Sequence, residues 1–178
     1  MSIRRILRIA GSICLLAMVA ASAPVAWAQS LTSKGTDFYA TFTQNFDTTV
    51  NSLDLFISST EAATGTIEFL ETGTTQAFAT TPNQVLRIQV PISSQLTTNM
   101  VVEKKAIHVR SDKTISLYGL SNKIYSTDAF LAFPTATLGN TYRIASYAPT
   151  PDQYASAAIV ATQDGSTVTI TPTAAVLP

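Results

Sequence analysis

The 178-residue chain balances 11 basic against 11 acidic side chains and holds one cysteine, one histidine and one tryptophan. That length can bury a core without help from cross-links, and the charge balance lacks the Lys/Arg excess that phosphate neutralisation demands, which argues against nucleic acid as a partner. A zinc site of Cys and His ligands is excluded by the count alone.

Taken in chain order, the first element is a targeting segment. Arg4, Arg5 and Arg8 precede an apolar run over 9–21, and Ala26-Trp27-Ala28 supplies a small-x-small site, so the sequence predicts a Sec-type signal peptide over 1–28 with cleavage after Ala28. Pro24 and the small residues beside it argue against a permanent membrane span. Loss of the three arginines leaves eight basic residues against 11 acidic, so the exported chain is mildly acidic. Cys14 and Trp27 leave with the segment, so neither disulfide nor thiol chemistry remains in an oxidising compartment. Secreted, periplasmic or cell-surface location follows.

After a short linker over 29–34, alternation of period two recurs. Leu53, Leu55 and Ile57 oppose Ser52, Asp54 and Phe56; Ile67 and Phe69 oppose Thr66 and Glu68; Leu86, Ile88 and Val90 oppose Val85, Arg87 and Gln89. Ile107 and Val109, then Ile115 and Leu117, continue the pattern, with Ser111-Asp112-Lys113 between them reading as a tight hairpin. Asp128 to Phe133 reads as one short helical turn before Pro134, and Val168 and Ile170 form a last alternating run after the hairpin signal Asp164-Gly165. The expected fold is all-β: an antiparallel, sandwich-like module.

The chain also begins to repeat. Residues 35–42 are similar to 139–147, and 56–61 with 64–69 are similar to 159–164 with 165–170. The offset is about a hundred residues, the size of a compact domain rather than of a solenoid turn. The expected organisation is a first β-unit over 35–138 and, over 139–178, either the start of a second β-unit or strands that complete the first sheet. On the first alternative Ile159 and Val168 are expected to be abnormally exposed, and the chain reads as a fragment of a longer protein.

Few residues invite chemistry. His108 is the sole imidazole, so any Ser-His-Asp system must run through it, yet it sits mid-strand beside Arg110 with no nucleophile-elbow motif in the chain. Glu61, Asp112, Asp128, Asp152 and Asp164 fall in turns, where carboxylates cap backbone. No closely spaced Asp/Asn run suggests calcium, so no metal and no cofactor is expected. Tyr118, Tyr125, Phe130 and Phe133 cluster in sequence, as an exposed patch or as ordinary packing. Tyr125, Asp128 and Phe130 are the candidate ligand contacts, carried on loops over 123–129 and 148–153.

The same stretch carries a family resemblance. VRSDKTISLYGL at 109–120 resembles a strand pair containing SDKPVSVYAL in the IgGFc-binding protein N-terminal domain family. YSTDAFLAFP at 125–134 is similar to that family's YSADAFLALP, LGNTY at 138–142 to LGTEY, and AIVATQDGSTVTITP at 158–172 to a segment containing VVATEDNTTVTITP. Thr114 stands where the family has Pro, and family domains extend beyond residue 178. The resemblance implies a secreted or surface-exposed binding module, without transferring antibody binding to any named residue. The expected function is therefore a non-enzymatic adhesion or binding module for an extracellular protein or glycan. A self-associating structural repeat of an envelope or extracellular matrix is the alternative, with a glycan or ester hydrolase behind both.

Overall fold

A computed structural model describes residues 32–45, 49–145 and 155–173. The signal segment over 1–28 and the loop over 148–153 lie outside the described residues. Seven strands form, β1 Lys34–Ala40, β2 Ser52–Ser58, β3 Ala63–Phe69, β4 Thr74–Thr80, β5 Val85–Val90, β6 Ile107–Asn122 and β7 Asp128–Leu131. All pairings between these seven strands are antiparallel, and together they make one sheet curled into a half-barrel. The all-β, antiparallel expectation holds.

The 16-residue β6 is the axis of the sheet. Ile107–Arg110 pair with β3 on one edge and β1 on the other, so β1 and β3 flank the same half of β6. Tyr118–Ser121 pair in the same way with β2 and β7. β2 and β3 thus lie in tandem along one edge of β6, where β5 and β4 extend the two halves outward.

The residues expected to turn a hairpin, Ser111-Asp112-Lys113, instead lie within this one strand. Two steps along β1, from Gly35 to Asp37, are matched by five along β6, from Ile115 to Arg110. The surplus is a bulge, which bends a strand and increases its local twist. Its backbone is held by Ser111 Oγ donating to Lys113 O at 2.6 Å, by Thr64 N donating to Asp112 Oδ1 at 2.7 Å and by Ser59 Oγ donating to Thr114 O at 2.8 Å. Turn-forming side chains serve a bulge as well as a turn; here β1, β2 and β3 saturate β6 on both edges and leave its two runs no room to pair with each other.

Binary patterning is realised most clearly on β5 and on the two ends of β6. Leu53, Leu55 and Ile57, Ile67, Val109 and Leu117 are fully buried in one core that draws on all seven strands or the segments beside them. Asp128 to Phe133, expected as a helical turn, contributes β7, and its Phe130 lies directly opposite Gly119. A Cβ on Gly119 would collide with the Phe130 ring, so the glycine lets that ring fold across β6 and meet Phe42 edge-on at 5.4 Å and 63°.

Residues 155–173 form no strand. Gly165 takes φ +74° and Ser166 Oγ donates to Gln163 O at 2.8 Å, so the predicted turn is present while its flanks remain unpaired. Ile159, Val168 and Ile170 are 52%, 51% and 62% exposed.

Candidate functional site

Five residues, 123–127, join β6 to β7 at one end of the half-barrel. Ser126 N donates to Lys123 O at 3.3 Å and closes a tight turn, in which Tyr125 takes φ +71°. This left-handed region is costly for any residue with a Cβ, on the order of 1–2 kcal/mol. The strain is held by neighbours: Ile124 N donates to Asn51 Oδ1 at 3.2 Å, Lys123 Nζ donates to Thr49 O at 2.6 Å, and Ser126 Oγ donates to Asn45 Oδ1 at 2.8 Å. Asn45 is itself buried, with its Nδ2 donating to Ser121 Oγ at 3.2 Å. At about 1 kcal/mol per net hydrogen bond, this set is sufficient to fix the turn.

What the turn displays is apolar. Tyr125 is fully exposed and Ile124 is 64% exposed. The turn thus holds an aromatic ring and a branched aliphatic chain out into water on a strained backbone pinned by hydrogen bonds. Asp128 follows at the start of β7 and is exposed beside it. Phe130 is not at this surface, because its ring packs against the core. The aromatic cluster read from the sequence is therefore divided: Tyr118, Tyr125 and Phe133 face solvent, and Phe130 does not.

Two exposed apolar features escaped sequence reasoning. Ile124 lay inside a loop and belonged to no alternating pattern. Met100, Val101 and Val102 in the β5–β6 connection are exposed as well, with Met100 at φ +55°. Three consecutive apolar residues in a connection were the available signal, but such a run reads equally as buried strand.

The outer face of the sheet is organised by charge. Asp54 on β2 is buried and takes a two-pronged contact from Arg87 on β5, Nε to Oδ1 at 2.8 Å and Nη2 to Oδ2 at 3.0 Å, with Ser52 Oγ donating to Oδ2 at 2.7 Å. Burial opposes ionisation of this carboxyl, but the hydrogen bonds from Arg87 and Ser52 and the guanidinium charge outweigh it and hold the pKa below its ordinary 3.8. Asp112 is also held below its usual range, first by the hydrogen bond from the Thr64 backbone.

His108 sits in a cross-strand row between Tyr39 and Glu68. Its ring stacks on Tyr39 at 4.1 Å, its Nε2 lies 3.0 Å from Asp37 Oδ2, and its Nδ1 lies 3.8 Å from Glu68 Oε2. Arg110 Nη2 lies 3.6 Å from Glu68 Oε2, and Thr135 Oγ1 donates to Asp37 Oδ1 at 2.9 Å. Both imidazole nitrogens thus face carboxylates, and among the described residues no hydroxyl or thiol hydrogen-bonds the ring, so this is a cross-strand ladder rather than a triad. Among the described residues no group of three or more His, Cys, Asp or Glu side chains is placed to hold a metal, and no helix is long and apolar enough to cross a membrane.

These features define an all-β scaffold with an apolar-tipped loop at one end of its longest strand. Against known proteins, the family model described as IgGFc binding protein matches residues 128–178, a span that begins at β7 and takes in most of the motif blocks that carry the sequence resemblance. No curated protein and no solved structure matches the chain.

Proposed function

We propose that the chain is an exported, non-enzymatic binding module of a secreted or cell-surface protein, and that it recognises an extracellular protein or glycan through the loop over 123–127. The observation that carries this reading is Tyr125: fully exposed, held at φ +71°, and flanked by Ile124 and Ser126, which donate hydrogen bonds to Asn51 and Asn45 of the β1–β2 connection. A strained, water-exposed aromatic contributes nothing to the core, so its use lies outside the fold. The family match supports a binding role, and the family's description makes the Fc portion of IgG the first probe to try.

The test pairs binding with stability. The chain is passed over immobilised Fc and over arrayed glycans, alongside Tyr125→Ala and Tyr125→Gly. Retention on one surface is expected, with both variants weakened at least tenfold. Tyr125→Gly should at the same time be more stable than the parent by about 0.5–1 kcal/mol in urea unfolding, because glycine adopts positive φ without strain. Unchanged retention in both variants would remove the loop from the reading, and no retention on either surface would count against binding altogether.

The alternative is a structural repeat of an envelope or matrix assembly, favoured by the exposed Ile159, Val168 and Ile170. Sedimentation over a range of protein concentrations separates the two, since a matrix part self-associates and a binding module stays monomeric.

A further inference from the structure

The turn over 163–166 holds two groups that can react with each other. Asp164 is followed by Gly165, and this is the one Asp-Gly step in the chain. Both residues are exposed, Gly165 takes φ +74°, and a Cβ built on it would meet nothing within 4 Å. Among the described residues neither the Asp164 carboxylate nor the Gly165 amide has a hydrogen-bond partner; the bond from Ser166 Oγ to Gln163 O spans the pair without engaging either. The folded sheet holds its aspartates differently. Asp37, Asp54 and Asp112 have their carboxylates in hydrogen bonds, and the residues after them, Phe38, Leu55 and Lys113, carry a Cβ and lie inside strands. A ladder fixes the backbone and keeps the next nitrogen from turning onto the carboxyl carbon, whereas an unpaired turn with glycine at that position leaves the rotation open.

We propose that Asp164-Gly165 is a self-modifying site, at which the aspartate converts to isoaspartate through a cyclic imide. The Gly165 backbone nitrogen attacks Cγ of Asp164 in its carboxylic acid form. A C–N bond forms, the Cγ–OH bond breaks, and the amide hydrogen leaves with that hydroxyl as water. The succinimide ring then takes up one water. Opening at the Asp164 main-chain carbonyl carbon breaks its bond to Gly165 N, so the chain now runs through Cβ and Cγ and the former main-chain carbonyl becomes a free carboxylate. One water is released and one consumed, so the step needs no oxidant, cofactor or second protein. The product carries an extra methylene in the backbone and keeps the negative charge. The site lies outside β1–β7 and outside the loop over 123–127, so this inference stands or falls independently of the binding reading above.

The experiment ages the full chain in warm buffer over weeks. Isoaspartate is counted by methyl transfer from S-adenosylmethionine with an isoaspartyl methyltransferase, and placed by fragmentation of the peptide that follows Arg143. Label should accumulate at residue 164 and at no aspartate of β1–β7, preceded by a species lighter by one water. Asp164→Ala should abolish it, and Gly165→Val should slow it about tenfold, because a branched side chain crowds the attacking nitrogen and narrows its backbone. A synthetic peptide of residues 158–172 should react at a rate within about threefold of the full chain, because the turn is as free in the chain as in the peptide. Absence of label at residue 164 overturns the proposal, as does label that Gly165→Val leaves unchanged. A full chain that reacts more slowly than the peptide by a wider margin overturns it too, since the turn would then be held.

Discussion

Residues 56–69 and 159–170 share a pattern of apolar, Thr and Ser side chains, yet one segment is folded sheet and the other is not. Residues 65–69 lie against β6 and bury Ile67 completely, whereas residues 159–170 leave Val168 half exposed. Alternation is a condition for a strand and not its cause. A strand forms when another strand satisfies its backbone and covers its apolar face, and for β2 and β3 that partner arrives from far along the sequence.

The contrast can be broken most forcefully by truncating equivalent side chains. Ile67→Ala should cost about 2–5 kcal/mol in urea unfolding, because it opens a cavity in a core with no solvent access. Val168→Ala should change the same midpoint by less than about 0.5 kcal/mol. Similar losses for the two would mean that residues 155–173 pack in solution.

A second effect separates the folded sheet from the C-terminal segment through charge. Asp54→Asn removes the anionic half of the Arg87 contact and should cost about 1.5–3 kcal/mol near neutral pH. Because the folded-state pKa of Asp54 lies below 3.8, its contribution is complete above that value and disappears as pH falls through the folded-state pKa. Wild type and variant should therefore converge in acid, as followed by unfolding at a series of pH values. A gap that persists unchanged into strong acid would show that the ion pair is not its source.

The smallest effect compares two turns. Gly73 at φ +66° closes the β3–β4 hairpin, where its N donates to Phe69 O at 2.9 Å, and Gly165 at φ +74° lies in the turn over 163–166, whose flanks form no strand. Open space surrounds both, so alanine is opposed only by backbone conformation. Gly73→Ala should cost about 1 kcal/mol and Gly165→Ala nothing measurable in global unfolding. A loss at Gly165 would tie that turn to the cooperative fold.

Which faces of β2, β3, β5 and β6 point inward was legible in the sequence, because period-two alternation is local and burial follows it. The Ser111–Lys113 reading failed for an equally physical reason, since the same polar side chains cap a turn or a bulge, and only neighbours on both edges decide between them. Asp128–Leu131 turned out to be strand because Gly119 across the ladder makes room for Phe130. Asp54 was visible as an acid on a polar face, but Arg87, 33 residues away, became its partner only through the β2–β5 register. At the candidate site, Tyr125 was named from composition, while its positive φ and its anchoring to Asn45 and Asn51 depend on a distant connection.

By itself, then, the sequence determined an antiparallel all-β chain, its buried faces and its family likeness, all written in local spacing and motif. Tertiary structure decided that one long bent strand organises the sheet, that Phe130 turns inward while Tyr125 is held out, and that residues 155–173 form no strand. Each of those outcomes depends on contacts between residues far apart in the chain, and only the folded arrangement determines which of them form.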